Sequence, residues 1–268
     1  MSRFRQSAPE GERLLLRGLA LGYPSGYRTP QHAHDWGQLV HAAEGVLEVQ
    51  AGSSSWIVPP GRAVWVPPGV RHAVAASGPA ALRTLYFPPS RAGGLPRRCG
   101  VLTVPPLLRE LILHAIQLGP LEAGEPAHRR LAGVIHDQLA PLPDLPLELA
   151  WPRDPRARSV AEALGREPAR PDALEELARG SGASARTLER LFRRETGLSF
   201  GRWRQQLRLQ AAVRLLALGH PVTEVAFEVG YESPSAFIAM FRRALGTTPG
   251  RYRGTGRVAQ KRPSIEPA

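Results

Sequence analysis

Two histidines separated by one residue stand near the start of a stretch that reads as a strand, and a third histidine follows seven residues later. Side chains of residues i and i+2 point to the same face of a strand, so the even-numbered residues are predicted to share one face. That face would carry His32, His34, Trp36 and Gln38. His41 has the opposite parity and is predicted to lie outside, unless a bulge intervenes. Imidazole binds zinc, nickel, iron and copper, so the pair indicates a site for a divalent transition metal.

A second pattern suited to chemistry lies in the C-terminal part, where residues 174–197 and 222–246 follow one plan. Each segment has a short helix with a central alanine and then a glycine that permits a sharp turn. A serine that can cap the next helix comes next, followed by Phe-Arg-Arg and, three residues on, glycine. This is a repeat of helix-turn-helix units, which place their second helix in the major groove of DNA.

Apolar periodicity separates a buried stripe from an outward face on each second helix. The outward residues are Arg186, Glu189, Arg190 and Arg193 in the first unit, and Ser235, Ala239 and Arg242 in the second. The helix predicted at 199–218 would span about 30 Å at about 1.5 Å per residue. Successive major grooves on one face of DNA lie about 34 Å apart, so one chain can place both reading helices. We expect phosphate contacts from Arg193, Arg194, Arg202, Arg204, Arg208, Arg242 and Arg243.

The distribution of charge agrees with a polyanionic partner for the C-terminal part. The chain of 268 residues has a net charge of +12, and residues 151–268 carry +9 of it. Such asymmetry favours a polyanionic partner, and the helix-turn-helix units make double-stranded DNA the expected one. Cys99 is the single cysteine, which excludes an internal disulfide framework and a Cys-rich zinc module. No apolar run reaches about 18 residues and no secretion signal is visible, so we expect a cytoplasmic protein with no membrane partner.

The elements that must position these residues fall into two classes. Residues 12–90 contain seven short strand-like runs with Gly and Pro between them, which predicts an all-β sandwich or barrel. Amphipathic helices are predicted at 105–119 and 127–142, and further helices near 155–166, 172–179, 184–195, 199–218, 222–229 and 234–245. We therefore predict a multidomain chain with these parts: a barrel at 1–100, a helical pair at 101–150, a DNA-binding domain at 151–253 and a disordered tail at 254–268.

Residues 155–253 resemble the DNA-binding domain of the AraC/XylS family of bacterial transcription regulators. The most specific part is the second unit, "VTEVAFEVGYESPSAFIAMFRRALGTTPGRYR". The resemblance implies sequence-specific promoter binding, with base contacts at Arg186, Glu189, Arg190, Ser235 and Ala239. Ala239 departs from the polar residue that members often carry there. Since alanine can only touch a thymine methyl group, readout by the second helix is expected to be weaker.

Residues 20–88 resemble a cupin barrel. The first cupin motif matches Gly26, His32, His34, Gln38 and Gly45, and the second matches Gly61, Pro67, Gly69 and His72. In metal-binding cupins two histidines, a glutamate and a third histidine converge on one ion. The resemblance thus implies a metal site at His32, His34 and His72, with the neutral Gln38 where glutamate is usual.

Three interpretations of the barrel remain open. It binds one divalent transition metal, namely zinc, nickel, iron or copper. Alternatively, the same polar residues line a small-molecule pocket with Trp36, Trp56 and Trp65, or they are a packed vestige. Large aromatic residues in strands are more often ordinary core, so the tryptophans carry that simpler interpretation too.

The function that these patterns favour is a DNA-binding transcription regulator controlled by a metal or small molecule in the barrel. The helices near 105–140 would dimerise it or transmit the signal, which predicts a homodimer. Regulators with this barrel pattern often repress a neighbouring transporter gene. We expect no enzymatic activity. The alternatives are a metal-dependent cupin enzyme, such as a dioxygenase or isomerase, tethered to DNA, and an architectural DNA binder with an inactive barrel.

Overall fold

A computed structural model describes residues 13–139 and 147–255, except for the side chains of residues 253–255. The strands are β1 (Leu14–Tyr23), β2 (Gly37–Glu44), β3 (Leu47–Ala51), β4 (Ser54–Val58), β5 (Arg62–Val66), β6 (His72–Ala76), β7 (Ala80–Phe87), β8 (Gly100–Thr103), β9 (Leu121–Glu122) and β10 (Glu148–Ala150). They form a six-stranded sheet in the order β8-β5-β2-β7-β1-β9 and a four-stranded sheet in the order β10-β4-β3-β6. All named pairings are antiparallel.

Alternation along the strands divides each sheet into an inner and an outer face. On β3, Leu47, Val49 and Ala51 are buried in the barrel interior, whereas Glu48 and Gln50 between them are partly exposed. The seven strands predicted within residues 12–90 are confirmed as β1 to β7. The barrel does not stop near residue 100, because β8, β9 and β10 join its sheets and extend it to Ala150.

Two helices, α1 (Pro106–Leu118) and α2 (Pro126–Leu139), cover the outer face of the six-stranded sheet. Leu108, Ile112 and Ile135 pack there with Trp65 and Phe87 of the sheet. The approach is close, since a Cβ atom at position 18 would lie 2.6 Å from the Ile116 side chain. Gly18 therefore allows α1 to lie directly on β1.

The C-terminal part is helical throughout. Its helices are α3 (Pro155–Arg166), α4 (Leu174–Arg179), α5 (Ala185–Thr196), α6 (Phe200–Ala217), α7 (Val222–Glu228), α8 (Pro234–Leu245) and α9 (Pro249–Thr255). Helices α4–α5 and α7–α8 are the two predicted helix-turn-helix units, and α6 joins them. The Ser184 and Ser233 hydroxyls accept the backbone N–H of Thr187 and Ala236, which caps α5 and α8 as predicted.

The middle of α6 packs against the outer face of the four-stranded sheet. Gln210 is buried there, and its Nε2 atom donates to the backbone oxygens of Ser55 at 3.2 Å and Leu147 at 2.7 Å. Trp203 Nε1 donates to the Ala150 oxygen at 2.7 Å, and Trp151 Nε1 donates to Ser55 Oγ at 3.0 Å. The barrel and the helical domain thus share a tight interface.

Eight predicted helices are present, and α9 is an additional one. The tail was predicted to begin at residue 254, but residues 254 and 255 belong to α9. The rest of the predicted tail, from residue 256 on, and residues 140–142 of the second predicted helix lie outside the described residues. Among the helices that the structure describes, none combines the length and apolar character needed to cross a membrane.

Candidate metal-binding site and DNA-binding surface

The sequence suggested that the histidine pair lies on a strand, but the structure places it outside the strands. Strand β2 begins at Gly37, so His32 and His34 occupy the irregular segment before it. This segment runs beside β6. His32 and His72 exchange backbone hydrogen bonds at 3.0 and 2.8 Å, which brings the third histidine to the pair.

The three imidazoles form one cluster at the edge of the four-stranded sheet. One ring nitrogen from each of His32, His34 and His72 lies within 4.8 Å of the others. The ring centroids are 4.4 Å apart for His32 and His72, 5.1 Å for His34 and His72, and 5.8 Å for His32 and His34. His72 is fully buried and the other two are partly exposed, so the cluster is open on one side.

Gln38 joins the cluster from β2, as the sequence predicted. Its Oε1 atom lies 2.9 Å from His72 Nε2 and 3.2 Å from His34 Nε2. Its Nε2 atom donates to Thr84 Oγ1 and Tyr86 Oη, both at 3.0 Å. The β7 hydroxyls therefore hold the amide with its oxygen toward the histidines.

The other ring nitrogen of each histidine faces a backbone oxygen. The Nδ1 atoms of His32, His34 and His72 lie 2.9, 2.8 and 2.8 Å from the carbonyl oxygens of Pro30, Trp36 and Val70. A carbonyl oxygen can only accept, so each Nδ1 carries a proton, and the neutral form of such a ring has its lone pair on Nε2. This is how proteins orient histidines that ligate a metal through Nε2.

Burial has an electrostatic consequence for this cluster. It lowers the pKa of His72 to about 4, and the neighbouring His32 and His34 act in the same direction. His72 is therefore neutral near pH 7. With Gln38 oriented as described, its Oε1 atom and the Nε2 atom of neutral His72 present lone pairs to each other at 2.9 Å. A cation fits that arrangement, and the residues present fit the predicted metal.

The three predicted pocket tryptophans are not brought together at the cluster. Trp65 lies on the outer face of the six-stranded sheet, where it packs against Phe87 beneath α1 and α2. Trp56 is buried in the core that includes the barrel interior. Trp36 is partly exposed, and its backbone oxygen accepts from His34 Nδ1. A pocket lined jointly by these residues is not what the structure shows.

His41 lies on the face opposite Gln38, as its parity predicted, yet it is buried. Its Nδ1 atom lies 2.8 Å from the Arg62 carbonyl oxygen. Burial lowers the pKa of His41, and the positive charges of Arg83 and Arg109 act in the same direction. His41 is therefore a neutral core residue outside the metal site.

Sequence reasoning missed Thr84 and Tyr86, which orient Gln38. Both carry polar groups at alternating positions of β7, whose buried neighbours Leu82, Leu85 and Phe87 are apolar. Two hydroxyls with the same parity in the run "LRTLYF" were the available signal, since a buried polar side chain needs a partner.

The candidate DNA-binding surface is the outward face of α5 and α8. Positions in the two helices correspond at a spacing of 49 residues, because Phe192-Arg193-Arg194 matches Phe241-Arg242-Arg243. Arg186 and Arg190 on α5 are exposed, and so are Ser235 and Ala239 at the same two positions of α8. All four of these predicted base-contact residues remain accessible while the helical domain is packed against the barrel.

Glu189, which was predicted as a base contact, makes two contacts within the protein. One carboxylate oxygen accepts from Arg193 Nε at 2.9 Å, and the other accepts the backbone N–H of Phe200 at 3.2 Å. Phe200 is the first residue of α6, whose free N–H groups need acceptors. Glu189 thus ties α5 to the start of α6.

Arg204 and Arg208 also differ from the predicted phosphate contacts. Arg204 donates to the backbone oxygens of Arg170 and Asp172, and Arg208 donates to that of Pro168 at 3.0 Å. Both guanidinium groups are partly buried, and burial lowers the pKa of each. These two arginines hold the segment between α3 and α4 against α6.

The other predicted phosphate contacts are exposed: Arg193, Arg194, Arg202, Arg242 and Arg243. Arg193 and Arg194 form ion pairs with Glu189 and Glu195. Surface pairs of this kind contribute little and can exchange for a phosphate. The phosphate contacts stay predictions.

The chain matches two known protein families. The family "AraC-like ligand binding domain" matches residues 16–152, and "Helix-turn-helix domain" matches residues 177–255. The first covers the barrel with α1 and α2, and the second runs from the second half of α4 to the end of α9.

Individual relatives of the chain are likewise named as transcriptional regulators. The HTH-type transcriptional regulator NimR of Escherichia coli K12 is 41% identical over 224 residues, which are 84% of this chain and 82% of NimR. RipA of Corynebacterium glutamicum is 42% identical over 118 residues, covering 44% of this chain and 34% of RipA. Among solved structures, the C-terminal domain of AraT from Geobacillus stearothermophilus aligns with 41% of this chain and 92% of its own, at 27% identity and a TM-score of 0.38.

Proposed function

Because the chain belongs to the AraC family of DNA-binding transcription regulators, we propose that a divalent transition metal in its barrel controls its binding to promoter DNA. His32, His34 and His72 would hold the ion, with Gln38 Oε1 as a fourth donor. Zinc, nickel, iron and copper are the candidates. The observation that carries the proposal is the set of three Nδ1 atoms held by backbone oxygens, together with the amide oxygen of Gln38 beside the Nε2 atoms of His34 and His72.

Glutamine in place of glutamate suits a sensor, because the side chains of the metal-free site can then form hydrogen bonds with one another. Turning the Gln38 amide by about 180° would let its NH2 group donate to His34 and His72, while the Thr84 and Tyr86 hydroxyls donate to its oxygen. A glutamate cannot make this exchange without taking up a proton. We infer that Gln38 gives a weaker and reversible site, whose occupancy follows the free metal concentration.

The sheet offers a direct route from the cluster to the helical domain. His72 pairs with Ala51, Ala51 pairs with Ser54, and Ser54 pairs with Ala150. At about 4.8 Å per strand, this row covers about 14 Å. Its last residue accepts the hydrogen bond from Trp203 in α6. We propose that metal binding acts on α6 through this row, since an effector must favour one of two arrangements.

The same proposal includes a homodimer. Leu107, Leu111, His114 and Leu118 recur on α1 at spacings of four, three and four residues, which is the spacing of a coiled-coil seam. The Leu107 and Leu118 side chains are 56% and 45% exposed. A second copy of α1 would cover this stripe, and Leu107→Asp with Leu118→Asp should shift the sedimentation coefficient to that of a monomer.

We propose binding rather than catalysis for the metal site. The cluster of metal-ligating side chains in the described residues contains three histidines and no carboxylate that could serve as a general base. A dioxygenase or isomerase remains the alternative. Stoichiometric iron together with oxygen uptake on a candidate substrate would favour it.

The decisive experiment measures metal content and DNA binding on the same full-length protein, purified without chelator or affinity tag. We expect one bound metal per chain, and a mobility shift with DNA from upstream of its own gene that changes with metal. His34→Ala should lose the metal and the response, whereas His136→Ala, a partly exposed histidine of α2, should keep both. A response that survives His34→Ala contradicts the metal site, and the absence of any sequence-specific shift contradicts the regulator.

The family resemblance suggests that the protein represses a neighbouring transporter gene. A reporter fused to the promoter of that gene, measured with and without the regulator, tests it. Higher expression in the absence of the regulator supports repression, and lower expression contradicts it.

A further inference from the structure

The two reading helices present opposite chemistry at equivalent positions. Arg186 and Arg190 on α5 correspond to Ser235 and Ala239 on α8. Side chains in the first turns of a recognition helix contact base edges. The first unit therefore offers two guanidinium groups, whereas the second offers one hydroxyl and a methyl group.

A third position adds to this difference. Glu189 corresponds to Ile238, which is 36% exposed on α8. The Glu189 carboxylate accepts the N–H of Phe200, but the residue equivalent to Phe200 is Pro249, which has no backbone N–H. The second unit thus needs no acceptor at position 238, and an apolar side chain can stand there without cost to the following helix.

Arg242 and Arg243, which follow this apolar surface on α8, differ from their equivalents in α5 in their ion pairs. In the first unit Arg193 pairs with Glu189, whereas in the second unit the residue equivalent to Glu189 is the uncharged Ile238, which cannot pair with Arg242. Within the described residues no ion pair involves Arg242 or Arg243. The outward face of α8 therefore has an apolar centre with unpaired cations at its C-terminal end, which suits a groove lined by phosphates.

The major groove of DNA offers one apolar group, the C5 methyl of thymine. We propose that Ile238 and Ala239 read thymine methyl groups, while Arg186 and Arg190 read guanine. The operator is then chemically asymmetric, with a guanine block under α5 and a thymine block under α8 about one helical turn away. This proposal rests on the DNA-binding function and adds the base preference of each unit.

The test begins with selection of bound sequences from random duplex DNA by the full-length chain. In the selected site, uracil replaces each thymine and 7-deazaguanine replaces each guanine, one position at a time. Loss of one buried methyl group should weaken binding about fourfold. Loss of a guanine N7 acceptor should weaken binding about tenfold or more, and only in the other block.

Variants assign each block to its helix. Ile238→Ala should abolish most of the sensitivity to uracil and keep the sensitivity to 7-deazaguanine. Its matched control, Arg190→Ala, should do the reverse. Unchanged affinity on uracil substitution, with unchanged affinity of Ile238→Ala for the selected site, overturns the proposal and leaves this surface to a protein partner. Failure to select any sequence would instead contradict the regulator itself.

Discussion

Glu189 and Ile238 occupy the same position in the two helix-turn-helix units, and exchanging each for alanine should give opposite results. Glu189→Ala removes an acceptor from the N–H of Phe200, at a cost of about 1 kcal/mol typical of a lost helix cap. It also removes an ion pair with Arg193, worth about 0.3–0.5 kcal/mol because the Arg193 side chain is 68% exposed. The expected loss in the free energy of unfolding is about 1.5 kcal/mol, with no change in base preference.

Ile238→Ala should cost less stability, because the side chain is partly exposed and Pro249 needs no acceptor. It should change base preference instead. Urea unfolding of the full-length chain, followed by tryptophan fluorescence, measures the first effect. Trp203 is a suitable reporter, since its ring lies 5.0 Å from Phe192 of α5. Competition between selected and single-base-changed DNA measures the second.

The reasoning fails if Glu189→Ala leaves the urea midpoint unchanged and alters discrimination at one base pair by tenfold or more. That result would make the carboxylate a base contact, as the family resemblance implied. Loss of both stability and discrimination would also count against the separation of roles. Glu189→Gln is a useful companion, since its amide oxygen can still accept from Phe200.

Three other changes test the remaining assignments. Gln38→Glu should tighten metal binding and slow metal release, because it adds a charged donor; isothermal titration and release into a chelator measure this, and unchanged affinity would place the ion elsewhere. Arg204→Ala should lower the free energy of unfolding by about 1–3 kcal/mol and leave the salt dependence of DNA binding intact. By contrast, changing the exposed Arg202 to alanine should reduce the slope of log affinity against log salt concentration by about 0.9. The reverse pattern would restore Arg204 as a phosphate contact. The folded pKa of His41 is lowered from 6.5, so the unfolded chain takes up its proton first and stability should fall as pH drops below about 6.5, by up to about 1.4 kcal/mol per pH unit; a pH series of urea unfolding should be flatter for His41→Leu.

Strong periodicity made most elements predictable. Helices α3 and α8 begin and end at the predicted residues, since each has proline at its start and a capping side chain before it. Strands β8 to β10 were not predicted because they have only two to four residues and depend on pairing with distant strands. A short segment with no pattern of its own is defined by its partner, which the local sequence does not contain.

The site was predictable in its residue types but not in its geometry. The spacing of the cupin motifs identified His32, His34, His72 and Gln38, and the structure brings all four together. The motif spacing could not show that backbone oxygens fix each Nδ1 atom. The role of Arg204 was hidden for a related reason. Helix α6 is packed on several sides, so a helical pattern cannot tell an arginine that faces solvent from one that faces a neighbouring loop.

The absence of one N–H group at Pro249 separates two constraints that act together at position 189. There, a change of side chain alters both the surface offered to DNA and the start of the next helix. At position 238 the following helix needs no acceptor, so a change of side chain alters the surface alone. The second recognition helix is therefore the better place to redesign specificity without weakening the fold.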